Sequence, residues 1–255
     1  MSDVTLYHWE PNANSGKPML ALEEKGVAYT SHYINMIAFD QHQPEYLAVN
    51  PQGTIPAMTH GKLVLTESTA IMDYVDEAFD GPPLMPVDPQ DRWRVRWWMK
   101  FMDQWLGPSF SMIGWCTFVG PSLAHKSQEE REAMLARIPL PERRVAWRKA
   151  MFAEFSEAEL AESRRRIANG VELLEQELGK RQFVASNAYS LADINIFNST
   201  YMLPVGNADI CSPELTPNIW RWLREVYQRP AVQRTWAKGS GRFTDRFTAV
   251  MGDFA

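Results

Sequence analysis

Cysteine is nearly missing from this chain. Only Cys116 and Cys211 occur in 255 residues. They stand far apart and form no Cys-x-x-Cys pair, which argues against a disulfide framework and against a metal ligand set. The expectation is a reducing, cytoplasmic setting without a metal cofactor. A strong charge of either sign is also lacking, since 31 acidic residues nearly balance 26 Lys and Arg, for a net charge of -5. That leaves no basic field for nucleic acid or an anionic membrane. No apolar run reaches the ~20 residues that cross a bilayer. The opening residues, Val4-Thr5-Leu6-Tyr7-His8-Trp9 among them, show no basic-then-apolar order of the kind that directs secretion. No repeat or low-complexity tract is visible. What the chain does have is aromatic residues, with ten Trp and twelve Phe in an otherwise ordinary mixture of 45% hydrophobic and 22% charged residues. Most belong in a core, and a surplus suits an apolar pocket.

The front of the chain alternates between two periods. Val4–Trp9 reads as a strand, the stretch from Glu10 to Gly16 as a turn, and Lys17–Lys25 as a helix with Ser15 or Gly16 at its cap, Pro18 in its first turn and Gly26 at its end. Tyr29–Met36 predicts a second strand. A polar stretch follows, with a short helix near Pro44. Ala57-Met58-Thr59 and Leu63-Val64-Leu65 around His60-Gly61-Lys62 predict a hairpin, and Glu67-Ser68 opens a helix through Glu77. The predicted order is β-α-β, short helix, β-β-α. Residues 81–89 are Pro-rich and read as a linker, which puts one domain at 1–80 and a second at 90–255. In the second domain the strand signal vanishes. Trp93/Trp97, Trp98/Met102/Trp105 and Ile167/Val171/Leu174/Leu178 recur at helical spacing. Ser190-Leu191-Ala192-Asp193 has the form of a capping box, and Thr216-Pro217 starts another helix. Residues 138–155, with Pro139, Pro141 and a basic-aromatic cluster, are expected to interrupt the helical pattern. The fold class is therefore an α/β front domain and an all-α second domain.

Three motifs occur in order: Asn50-Pro51-Gln52-Gly53-Thr54-Ile55-Pro56-Ala57-Met58, Leu65-Thr66-Glu67-Ser68-Thr69-Ala70-Ile71, and Ser190-Leu191-Ala192-Asp193. Flanking a Pro-rich linker, they resemble the cytosolic glutathione transferases over nearly the whole chain. The stretch Pro11 to Pro18, together with Phe39-Asp40-Gln41-His42, Ile113-Gly114-Trp115 and the 138–155 segment, is similar to the bacterial lignin β-etherases of that family. The resemblance implies a thioredoxin-like front domain that binds glutathione, and an expected dimer, with a homodimer favoured.

It also implies roles. Ile55-Pro56 matches a cis-proline turn whose backbone pairs with the cysteinyl part of glutathione, beside Thr54. Glu67 takes the ammonium group and Ser68 the carboxylate of the γ-glutamyl end. Both positions also read as a plain helix start. Gln41 and His42 match the loop that reaches the glycine end, and His42 reads equally well as a solvated loop residue. Ser15, or Asn14 beside it, is placed to favour the thiolate over the thiol, with Tyr7 as an alternative donor; Ser15 also reads as a simple cap. Trp9, Met112, Ile113, Trp115, Phe118 and Tyr201 are candidate walls of an aromatic second-substrate pocket, although aromatics at such spacing also serve as core. The implied reaction is displacement of a phenol from a β-aryl ether ketone by glutathione. A peroxidase, dehalogenase or reductase using glutathione, or a non-catalytic binding protein of the same fold, are the other readings.

Overall fold

The computed structural model describes residues 3–240 and 242–252. Strand β1 (Val4–His8) leads into helix α1 (Gly16–Lys25), β2 (Thr30–Tyr33), a 3-10 turn (Asp40–His42), α2 (Pro44–Leu47), β3 (Ala57–His60), β4 (Leu63–Thr66) and α3 (Ser68–Ala78). The sheet order is β2-β1-β3-β4. β1 and β2 are parallel and the other pairs antiparallel, with Tyr7 opposite His32 on one side and Ala57 on the other. This is the predicted β-α-β, β-β-α order. The second strand is shorter than Tyr29–Met36, because the chain turns after Ile34, where Asn35 Oδ1 accepts from the Ile37 and Ala38 N–H groups.

No strand follows among the described residues. α4 (Pro89–Phe101), with Asp88 as a side-chain N-cap, runs into a π-helical turn (Met102–Leu106), α5 (Gly107–Gly114), a second π-helical turn (Trp115–Val119) and α6 (Gly120–Leu123). Then come α7 (Gln128–Ala136), α8 (Pro141–Met151), the long α9 (Glu157–Leu178), α10 (Leu191–Thr200), α11 (Leu203–Gly206), α12 (Pro217–Tyr227), α13 (Pro230–Trp236) and α14 (Arg242–Met251). One expectation is corrected here. Residues 138–155 do not simply interrupt the helices, because they contain α8. Pro139 breaks the chain after α7, but Pro141 falls in the first turn of α8, where its missing N–H costs nothing.

The two larger apolar clusters among the described residues span the main parts of the fold. The larger one is continuous across both halves, joining Leu6, Leu20 and Ile71 to Trp98, Leu174, Phe197 and Trp222. The smaller is built by Phe39, Val119, Leu123, Met134, Ile138 and Trp147, so the α7–α8 segment has its core around a residue of the front half. Polar ties reinforce the seam. Arg229 makes a two-pronged pair with Glu24, at 2.6 and 2.8 Å, and buried Lys17 meets Asp103 at 3.0 Å.

Candidate functional site

The turn between β1 and α1 is fixed from several sides. Ser15 stands at the cap position of α1 but does not cap it with its side chain. Its Oγ instead accepts the Trp9 N–H at 2.9 Å, and the residue is 1% exposed. The simple-cap reading of Ser15 is thus replaced by a tie back to the end of β1. With a lone pair occupied, the hydroxyl proton remains available for donation. Asn14, next to it, is exposed. Asn198 of α10 donates to the Pro11 carbonyl, and a side chain on Gly16 would run into that same pair. Glycine at 16 is therefore what lets α10 close on the turn. Tyr7 points the other way, against His32 and Tyr46, with ring centres 4.9 and 5.8 Å apart.

The Ile55–Pro56 peptide is cis. Just before it, the Thr54 carbonyl accepts from the Tyr46 hydroxyl at 2.5 Å and from Asn50 Nδ2 at 2.8 Å, and Asn50 Nδ2 also reaches Thr54 Oγ1 at 3.0 Å. Thr54 therefore anchors the turn through its own polar atoms. Gly53 has φ +64°, and a Cβ there would lie 2.5 Å from His42 Nδ1, so glycine is required where this loop crosses the 3-10 turn.

Gln41 and His42 are both buried, at 1% and 3% exposure, which removes the solvated-loop reading of His42. Gln41 Oε1 and both His42 ring nitrogens have no hydrogen-bond partner among the described residues. Burial, then the Arg137 and Arg143 charges, pull the His42 pKa down to about 4, so the ring is neutral at pH 7. At the start of α3, Glu67 rather than Ser68 occupies the cap position, with φ +65°, and no side chain caps the helix. Asn195 of α10 donates to Thr69 Oγ1 at 3.0 Å, and Lys17 lies within electrostatic reach of Glu67. Lys17, Asp103, Asn195 and Asn198 were not legible as site supports. Each works by contact across the two halves, which leaves no local pattern.

The aromatic positions divide. Trp9 faces Phe118, with ring centres 6.2 Å apart, and Trp115 and Phe118 share the second π-helical turn. π-turns of this kind recur at functional sites. Met112 is half-buried and accepts from the Ser163 hydroxyl at 3.2 Å, while Ile113 packs on the larger core. Tyr201 is corrected. It is 1% exposed and packed against Phe197, Trp236 and Phe247, so it belongs to the core and not to a pocket wall.

Comparison with known proteins places these features in a lineage. The family model "Glutathione S-transferase, N-terminal domain" matches residues 2–77, and "Glutathione S-transferase, C-terminal domain" matches residues 107–230. Protein LigF of Sphingobium sp. strain SYK-6 is 34% identical over 241 residues, covering 92% of this chain and 93% of that protein. The crystal structure of β-etherase LigF superposes with a TM-score of 0.88, covering 92% of this chain and 99% of the other. A glutathione S-transferase of Arabidopsis thaliana is 28% identical over 232 residues, 89% of this chain and 94% of that one. The theta class glutathione S-transferase of Xanthomonas axonopodis pv. citri, solved with glutathione bound, has the same fold at 22% identity, with a TM-score of 0.70 over 94% of this chain and 99% of that one.

Proposed function

This chain belongs to the glutathione S-transferase family, and we propose that it is a β-etherase-type member. In this reading, glutathione thiolate displaces a phenol from a lignin-derived β-aryl ether ketone. The observation that carries the reading is the match to β-etherase LigF along nearly the full length of both chains.

The site geometry is suited to the chemistry. Glutathione would lie from Glu67 and Ser68, past the Ile55-Pro56 turn, to Gln41 and His42. Its sulfur would sit near Ser15. A thiol is mostly protonated at neutral pH, and the thiolate is the nucleophile. The Ser15 Oγ is held by the Trp9 N–H at 2.9 Å, so its proton can be donated to a thiolate without competition for position. Asn14 is the exposed second donor. The thiol gives its proton to solvent, and the sulfur attacks the carbon bearing the aryloxy group. The C–O bond breaks, and the phenolate takes a proton from water. The adjacent ketone lowers the barrier, so the protein supplies the thiolate, orientation and a dry aromatic wall of Trp9, Phe118 and Trp115. No metal enters this scheme.

The test is incubation with glutathione and each enantiomer of a β-guaiacyl ether ketone. The expected products are guaiacol and a glutathione thioether, formed one for one. No guaiacol from either enantiomer overturns the etherase reading. A pair of chains is part of the same proposal. Trp93 and Trp97 on α4 and Leu63 and Val64 on β4 are exposed apolar residues that a second copy would cover. No helix among the described residues is long and apolar enough to cross a membrane.

A further inference from the structure

The turn that carries Trp9 and Ser15 is held from outside by Glu10. Its side chain is buried, at 5% exposure, and each carboxylate oxygen has its own donor. Oε1 accepts from the Tyr33 hydroxyl, at the end of β2, at 2.7 Å. Oε2 accepts from the Ser240 N–H, in the segment that follows α13, at 2.8 Å. Gly239 crosses the turn so closely that a Cβ on it would lie 2.6 Å from Pro11 Cδ and 2.8 Å from Glu10 Oε2. The same stretch is moored on α1, where Lys238 and Arg234 meet the Glu23 carboxylate at 3.3 and 2.7 Å. Residues 238–240 lie beyond residue 230, where the C-terminal family model stops matching, so the family likeness does not supply this contact.

Glu10 is also a node in the backbone of the turn. Its carbonyl accepts from the Ala13 N–H at 3.1 Å, and the Ala13 carbonyl accepts from the Gly16 N–H at 2.9 Å. Its neighbour Trp9 supplies the N–H that holds Ser15 Oγ at 2.9 Å. A buried carboxylate must find its hydrogen bonds inside the protein. Here they come from parts of the chain 23 and 230 residues away, so the turn cannot shift without breaking a bond to one or the other. A hydroxyl that is to meet a thiolate needs such a support, because it has to be held within about 0.5 Å of its working position.

Resting on the glutathione reading above, we infer that Glu10 is a positioning residue for the thiol. By fastening the segment after α13 to the turn, it fixes the direction in which Ser15 donates to the glutathione sulfur. It acts through Trp9 and Ser15 and not on the sulfur itself. The test is the thiol midpoint of bound glutathione, read from the ultraviolet absorbance of the thiolate against pH, with glutathione affinity measured by calorimetry alongside. Ser240→Pro removes the N–H donor and leaves the Glu10 charge in place. It is expected to raise the midpoint by about one pH unit, a tenfold loss of thiolate, with affinity changed less than about threefold. Ser240→Ala keeps the N–H and is expected to return the wild-type midpoint. Glu10→Gln keeps one acceptor and loses the other, and a rise in the same direction is expected. An unmoved midpoint in Ser240→Pro, with or without a fall in Tm, makes the contact structural only and overturns the inference. A lowered midpoint in Glu10→Gln overturns it too, since that is the sign of a charge acting directly on the sulfur. Should Ser240→Pro fail to fold, Tyr33→Phe, which takes away the other donor and also keeps the charge, carries the same comparison. Ser15→Ala separates the inference from its premise. A wild-type midpoint in that variant removes the role of Ser15, and that of Glu10 with it. Wild-type protein that binds no glutathione removes the glutathione reading itself.

Discussion

Asp193 and His42 are both buried polar side chains next to a helix start, and they are treated in opposite ways. Asp193 is fully enclosed, and every direction of its carboxylate is occupied. Oδ1 accepts from the Val184 N–H and Trp222 Nε1, both at 2.9 Å, and Oδ2 accepts from the Ser190 N–H at 2.9 Å and Ser190 Oγ at 3.0 Å. His42 is about as deep, yet neither of its ring nitrogens has a partner among the described residues. The same local cost has been met inside the protein in one case and left open in the other. Saturated bonding of this kind marks architecture, whereas the two unpartnered nitrogens of His42 add no bond to the fold.

The largest test of that contrast is Asp193→Ala. It strips the partners from the Val184 N–H, Trp222 Nε1 and the Ser190 cap together. Each buried donor left unpaired costs about 1–3 kcal/mol, so a loss of about 3–5 kcal/mol is expected. In a chain of this size that is a fall in Tm on the order of 10 °C, read by circular dichroism. A fall of under roughly 3 °C would show that the carboxylate is not the hub its bonds describe.

Ser15 lies between the two cases. The acceptor side of its hydroxyl is used by Trp9, and its donor side is open. Ser15→Ala should therefore split its effects. Glutathione affinity is expected to change less than about threefold, while kcat falls roughly 10–100-fold, the worth of one hydrogen bond to a developing or resting thiolate. Unchanged kcat would transfer the role to Asn14, and an affinity loss equal to the kcat loss would make Ser15 a binding group only.

The same contrast explains what the sequence made legible. The Asp193 box was readable because both partners, Ser190 and Asp193, lie within one helical turn, and the motif states its own geometry. The β-α-β and β-β-α order was readable because periods of two and of 3.6 are local. Tyr201 failed for the opposite reason. Its spacing is that of any helical aromatic, and only the packing of Phe197, Trp236 and Phe247 around it decides between wall and core. The segment 138–155 departs from its expectation because two prolines within three residues resemble a break, whereas Pro141 falls in the first helical turn, where proline is accommodated. Lys17 with Asp103, and Asn198 with Pro11, are separated by 86 and 187 residues, so no window along the chain contains them.

The smallest expected effect is the stability change in His42→Ala, and it is the sharpest contrast with Asp193→Ala. Removing the ring loses its edge contact with Phe39 but also removes two unpaired buried nitrogens, and these terms oppose each other. The unliganded Tm is expected to move by less than about 3 °C. The gain in Tm on adding glutathione should shrink, because a weaker complex contributes less through RT ln(1 + [L]/Kd). Acid adds an independent reading. Burial and the nearby Arg137 and Arg143 charges hold the His42 pKa at about 4, below the ordinary 6.5. A base with a depressed folded pKa binds its proton more readily when unfolded, so stability is complete above about pH 6.5 and is lost as pH falls toward about 4. An NMR titration of the ring should find its midpoint near 4 in the free protein. A free-protein midpoint near 6.5, or a His42→Ala Tm that falls as far as that of Asp193→Ala, would return His42 to the class of ordinary structural residues.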